Sequence, residues 1–189
     1  MGTRDLNPRN TNFQSYIMGI MLPPIQRDGR TYVPGINEYF DAVRDGKIHS
    51  AIDLNYHHKN GSKVGQTGVN LSKPTVRAPV SGIVTDIDPK KWGTVEITDP
   101  DGYRHRILHM ELPDEGLPGH LKREDVVTAG DPIGKLGNKG TKDYHVHYEI
   151  KYQNKAFKPP KDIPLDPNLF FDAPNYEPGP YSSAPADPG

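Results

Sequence analysis

From about residue 76 to residue 152, short runs of apolar and polar residues alternate between clusters of turn formers. Residues 76–87 read as a strand, a kink at Gly82 and a second strand. Residues 93–98 and 103–110 flank Asp99-Pro100-Asp101-Gly102, where proline presets one φ and glycine accepts a positive one, so an antiparallel hairpin is predicted. Residues 133–136 and 144–152 supply further strands. The last alternates strictly, with His145, His147, Glu149 and Lys151 on one face and Val146, Tyr148, Ile150 and Tyr152 on the other. The fold class is mainly β, an antiparallel sheet domain.

Residues 1–46 are less regular, interrupted by Pro23, Pro24 and Pro34. Within them Ile36, Tyr39, Phe40 and Val43 recur at i, i+3, i+4 and i+7, one face of a helix ended by Gly46, which predicts a short packing helix over 36–44. The apolar run at 17–22 falls well short of the roughly 18 residues of a membrane span. It lacks a small-x-small cleavage site and is expected to pack on the domain as a short helix or strand rather than to act as a signal peptide. The polar segment 57–63 reads as a loop or hairpin tip. The expected division is an N-terminal arm with a short helix over 1–46, a functional domain over 47–155, a C-terminal extension over 156–172 and a tail over 173–189. The tail carries Pro174, Pro178, Pro180, Pro185 and Pro188, the composition of a disordered segment or linker.

Composition narrows the chemistry. The 189 residues hold 33% hydrophobic positions, 19 Gly and 20 Pro, which fits one loop-rich domain, and monomer is the default expectation. Lys and Arg (23) nearly balance Asp and Glu (24), so no basic field exists to hold nucleic acid or an anionic membrane. With no cysteine, disulfides and thiolate metal sites are excluded, and any metal must be held by His, Asp or Glu.

Eight histidines then become the candidates. His49 precedes Asp53 by four residues, a spacing that a surface histidine and an unrelated capping aspartate would also give. In His145-Val146-His147, period two points both imidazoles to one face. Two metal ligands, one ligand beside an acid/base group, or two solvated histidines all satisfy that pair. His109 closes the strand of the predicted hairpin, and taken alone it is an ordinary strand-end histidine.

The order of these elements is more specific than any one of them. His49–Asp53, the strand around residues 78–84, His109, the Gly-rich segment 129–140 and His145-Val146-His147 together resemble the lysostaphin and LytM-type zinc endopeptidases that cut peptidoglycan cross-links. The resemblance spans about residues 49–150. It implies a lysostaphin/LytM-like sheet of the duplicated-hybrid-motif type, with Zn2+ held by His49, Asp53 and His147 and with His109 and His145 as the catalytic pair. It makes residues 47–155 the zinc endopeptidase domain, and peptidoglycan peptide stems and cross-bridges the substrate. The direct D-alanyl to diaminopimelate bond is favoured over glycine bridges because no separate wall-targeting domain follows. Two imidazoles and a carboxylate leave a coordination position open, as a catalytic zinc site requires. Ala51 replaces the family's glycine between the first two ligands, and the segment 53–78, with His57 and His58, is longer than usual. Glu149 is a candidate partner of His147, while His105 is expected to face solvent and His120 to have no chemical role. Action in the periplasm or cell wall is implied, with delivery by a secretion system, a phage or a processed precursor, and an immunity protein as partner if the chain is an antibacterial effector. The alternative is an inactive LytM-like module that binds the wall or activates a hydrolase.

Overall fold

In the computed structural model, residues 17–60, 63–66 and 73–172 are described. The chain opens with α1 (Gly19–Met21), β1 (Ile25–Arg27), β2 (Arg30–Glu38), β3 (Val43–Arg44), β4 (Lys47–Ile48), β5 (Ile52–Asn60) and β6 (Lys63–Gln66). It continues through β7 (Thr75–Arg77), β8 (Gly82–Asp88), β9 (Thr94–Thr98), β10 (Arg104–Leu108), β11 (Met110–Glu111) and β12 (Val126–Val127). β13 (Pro132–Leu136), β14 (Val146–Asn154), β15 (Lys161–Leu165) and α2 (Pro167–Asp172) complete it.

A large antiparallel sheet runs in the order β1-β2-β5-β14-β10-β9-β8-β12. Its two long central strands change partners along their length. The start of β14 pairs β5 and its end pairs β15, while the far end of β5 pairs β6. A small sheet, β11-β13-β7, packs beside it. The β9–β10 hairpin forms in the expected place, with Gly102 at φ 87° and the Asp99 carboxylate accepting the Asp101 and Tyr103 amides at 3.0 Å.

The core shows why the outer segments belong to the same body. Ile17, Ile20, Met21 and Leu22 are fully buried, as expected of the 17–22 run, and Phe171 of α2 is buried with Tyr56, Tyr148 and Ile150. Pro23 accepts a hydrogen bond from the Tyr56 hydroxyl at 2.7 Å, tying the arm to β5. The Pro-rich tail lies outside the described residues.

Three expectations are corrected. No helix forms over 36–44: β2 runs through Glu38 and pairs β5, and Asp41, Asp45 and Gly46 take positive φ values that a helix cannot contain. Of the loop or hairpin tip expected over 57–63, a hairpin forms but its strands reach further: residues 57–60 lie in β5 and pair β6, and the tip at 61–62 is outside the described residues.

The third correction is His105, which is fully buried, not solvent-facing. Its ring packs against Phe170 and Phe171 of α2. Nε2 donates to Asp99 Oδ2 at 2.9 Å and Nδ1 accepts from the Tyr148 hydroxyl at 2.7 Å, so a neutral ring satisfies both contacts. Burial pushes its pKa below 6.5, and the Asp99 hydrogen bond only partly offsets this. A depressed histidine stabilises the fold above the unfolded-state pKa. Below pH 6.5 the unfolded chain takes up a proton that the native ring refuses, and stability falls. Wild type is expected to lose up to about 1 kcal/mol per pH unit more than His105→Gln on acidification below 6.5, read from denaturant titrations at several pH values. Parallel slopes would contradict this.

Candidate metal centre and active site

Sheet register brings the site together. Leu108, His147, Asp53 and Glu38 stand directly opposite one another across β10, β14, β5 and β2. Opposed residues on adjacent strands place their Cβ atoms about 4.5–5.5 Å apart on the same face, so pairing alone sets His147 beside Asp53. His49 arrives from the loop after β4, where Ala51 is fully buried at the entrance to β5. The alanine in place of the family's glycine therefore does not separate the two residues.

Asp53 Oδ1 lies 3.0 Å from His147 Nδ1 and 3.3 Å from His49 Nε2, and the two nitrogens are 3.3 Å apart. The opposite side of each group is occupied. His49 Nδ1 donates to the Tyr39 carbonyl at 3.1 Å, and His147 Nε2 donates to Glu149 Oε1 at 3.1 Å. Asp53 Oδ2 accepts from Arg44 at 2.9 Å. When both rings are neutral with those protons committed outward, each of the three inward atoms offers a lone pair. Such a trio can hold a cation at its centre, and two imidazole nitrogens plus one carboxylate oxygen are a donor set that suits zinc.

The electrostatics agree. Burial alone would raise the Asp53 carboxyl, yet hydrogen bonds to His147 and His49 and the nearby His145 hold it well below the usual carboxylate range. Burial would lower His147, but Asp53 and Glu149 carry its pKa up to about 9. Glu149, despite a burial penalty, is pulled to about 2 by His147 and Lys151. The cluster thus retains a proton on His147, in a place where a divalent ion would take over the balancing charge.

His109 and His145 close the other side of the same cleft, which has a volume of about 470 Å³. Their ring centroids are 4.7 Å apart, and His109 lies 5.7 Å from the His147 ring. His145 precedes β14, where an isolated bridge to Gly137 holds it, and its Nε2 is 3.7 Å from Asp53 Oδ1. Both rings are oriented from behind: His109 Nδ1 donates to the Lys139 carbonyl at 2.7 Å and His145 Nδ1 to the Asp143 carbonyl at 2.9 Å. Each therefore keeps Nε2 as an acceptor. Burial, foremost, lowers the His109 pKa, so this imidazole is neutral near pH 7.

A local break positions His109. It follows β10 at φ 69°, which interrupts the in-out alternation that would otherwise put it on the inner face with His105. The break is held by the His109 amide donating to Trp92 O at 2.7 Å and the Met110 amide to Gly93 O at 3.1 Å. Gly93 sits at φ 59°, and a Cβ there would overlap the Met110 carbonyl oxygen. Gly93→Ala is expected to cost roughly 2 kcal/mol or more from strain and overlap, and to lower activity by moving His109 while leaving the His49–Asp53–His147 group in place. Thermal melting, a turnover assay and a metal titration on the same variant check this; unchanged turnover would contradict it.

The five residues singled out in the sequence thus meet in one cleft. Glu149 joins as the partner of His147. Among the described residues, the two groups able to hold a metal are His49, Asp53 and His147, and His109, His145 and His147; His57 belongs to neither. His57 is half-buried against Gly35, and His120 is exposed with Nδ1 on the Pro113 carbonyl. Sequence reasoning missed Arg44, Glu38 and Trp92, which line the same cleft. Only the Asp45-Gly46 turn signal beside Arg44 pointed to a hairpin there.

Comparison with known proteins agrees with this geometry. No curated protein matches the sequence. The catalytic domain of the antimicrobial peptidase lysostaphin from Staphylococcus simulans superposes with a TM-score of 0.50 at 18% identity, over 75% of this chain and 93% of that one. Another structure of lysostaphin from the same organism gives a TM-score of 0.50 at 18% identity, over 80% of this chain and 54% of its own. LytU is similar at 23% identity and a TM-score of 0.49, over 72% and 83% of the two chains. At these identities the lysostaphin likeness establishes the fold, a mainly antiparallel β domain. The sequence profile of Peptidase family M23 matches residues 47–159, more than half of the chain, and the protein therefore belongs to that family.

Proposed function

We propose that the protein is a zinc-dependent endopeptidase that hydrolyses the peptide cross-links of bacterial peptidoglycan, acting in the periplasm or cell wall. The observation that carries this reading is the convergence of His49 Nε2, Asp53 Oδ1 and His147 Nδ1, with the imidazoles of His109 and His145 on the opposite wall of one cleft. Membership of a peptidase family supports hydrolysis of a peptide bond. The resemblance to lysostaphin and LytM-type enzymes supplies the wall substrate.

In this reading His49, Asp53 and His147 would hold the zinc. When bound, the ion supplies Lewis acidity at the scissile carbonyl and makes an attacking water acidic enough to react at neutral pH. The remaining steps fall to side chains. Glu149 and the Tyr39 carbonyl keep the imidazoles of His147 and His49 in the tautomers that turn lone pairs inward. His109, neutral near pH 7, accepts the proton of the attacking water at Nε2 and passes it to the leaving amine. His145, oriented by the Asp143 carbonyl, faces the same cleft with its ring centroid 4.7 Å from that of His109 and assists this proton transfer. Trp92 stacks edge-on to His109 with centroids 6.1 Å apart and shields that ring from solvent.

The function is tested by digesting purified diaminopimelate-type and glycine-bridged peptidoglycan and identifying the products by mass spectrometry. Opening of D-alanyl to diaminopimelate cross-links, suppressed by a chelator and restored by zinc, is expected. Intact walls of both types after exposure to the zinc-loaded protein would overturn the proposal and favour a module that binds the wall without cutting it.

A further inference from the structure

Arg44 is absent from the motif on which the resemblance rests, yet it touches the cluster directly. It lies on the β3–β4 hairpin, which turns through Asp45 and Gly46 at φ 47° and 74°. That pair of positive values is the type I′ geometry favoured by an Asp-Gly sequence. The hairpin is closed at its foot by the His49 amide donating to Ala42 O at 2.8 Å and the Asp41 amide donating to His49 O at 2.6 Å. One short element therefore carries His49 at its base and Arg44 next to its turn.

The Arg44 guanidinium reaches back to Asp53 Oδ2 at 2.9 Å and also pairs with Glu38. An irregularity in β2 between Ile36 and Glu38 sets Glu38 directly opposite Asp53. Like charges facing across paired strands repel, and Arg44 is the cation that bridges them. The Asp53 side chain is only 5% exposed, whereas that of Arg44 is 57% exposed, so the guanidinium covers the carboxylate from the solvent side.

We propose that Arg44 is a positioning residue for the metal centre: by holding Oδ2 it presents Asp53 through Oδ1 alone, and the hairpin that carries it fixes His49 against the same carboxylate. This rests on the reading of His49, Asp53 and His147 as zinc ligands. One nitrogen, Nη2, makes both contacts, held between the carboxylates by a rigid guanidinium plane that the flexible stem of a lysine does not reproduce.

The test uses the full chain stripped of metal, with zinc affinity measured by competition against a chromophoric chelator. Arg44→Ala is expected to weaken zinc binding about 10- to 100-fold, the usual effect of losing a hydrogen-bond partner of a ligand. Arg44→Gln, which keeps one N–H for Oδ2, is expected to recover part of that loss. Arg44→Lys is expected to stay below wild type. Cobalt substitution gives a second readout: the visible bands of Arg44→Ala should weaken relative to wild type as the freed carboxylate offers both oxygens, while those of Arg44→Gln stay close to wild type. Melting curves of the exposed Arg44 variants check folding, and if alanine unfolds the chain the glutamine variant carries the comparison. Zinc bound by Arg44→Ala as tightly as by wild type, or more tightly, would overturn this proposal and leave the metal centre standing. Failure of wild type to bind zinc would overturn both.

Discussion

His147→Ala is expected to abolish zinc binding and peptidoglycan cleavage together. His147 holds the middle of the cluster, with Nδ1 on Asp53 and Nε2 on Glu149. Alanine removes one of three ligand atoms and also frees both carboxylates from their shared imidazole. Without the ion, polarisation of the carbonyl and acidification of water are lost together, and the rate should fall by on the order of 10^4-fold or more. Breaking a largely buried charge pair costs several kcal/mol, so the melting temperature of the stripped protein should drop as well. Zinc content by mass spectrometry of the native protein and product release from purified peptidoglycan measure the two losses. A variant that keeps one zinc per chain and most of its activity would show that the metal is held elsewhere.

His109→Ala is expected to separate chemistry from metal binding. His109 contributes no atom to the His49–Asp53–His147 group, and the role proposed for it is proton transfer at the opposite wall. Loss of a positioned general base costs about 10^2- to 10^4-fold, and that loss should fall on kcat/KM with zinc stoichiometry unchanged. His109 is also packed against Trp92 and held by the Lys139 carbonyl, so a melting curve must accompany the kinetics. Full activity in a folded, zinc-loaded His109→Ala protein would remove this residue from the mechanism. Loss of zinc in the same variant would show instead that the second histidine group contributes to the metal site.

Much of this architecture was legible in local sequence, for identifiable physical reasons. The β9–β10 hairpin follows from Asp99-Pro100-Asp101-Gly102, whose conformational preferences act over four residues. The alternation of β14 places His147 and Glu149 opposite Val146, Tyr148 and Ile150, because burial on one face imposes period two. Long-range pairing decided the rest. Ile36, Tyr39, Phe40 and Val43 have helical spacing, yet β2 gains a full ladder with β5 and the segment beyond it is bent by Asp41, Asp45 and Gly46. Local periodicity cannot see a partner strand that arrives 15 or more residues later.

The same limit explains the errors around the site. His105, expected to face solvent, is in the core instead, and the positive φ at His109 breaks the strand between the two, sending the His109 ring to the cleft. What buries His105 is α2, some 60 residues downstream and outside the stretch that carried the resemblance. Arg44 falls at the end of the helix predicted over 36–44, which does not form. Its role emerges only when a two-residue turn and an irregular strand register bring Glu38, Asp53 and the guanidinium into one place.

The central claim is that one zinc ion, held by His49, Asp53 and His147, drives hydrolysis of wall peptide bonds. It is tested most directly by adding zinc stepwise to chelator-stripped protein and following release of new amino groups from purified peptidoglycan. Cleavage absent at the start and rising in proportion to zinc until one equivalent per chain is bound is the predicted result. Cleavage by the stripped protein, or none at any loading of a folded, zinc-binding protein, would contradict it.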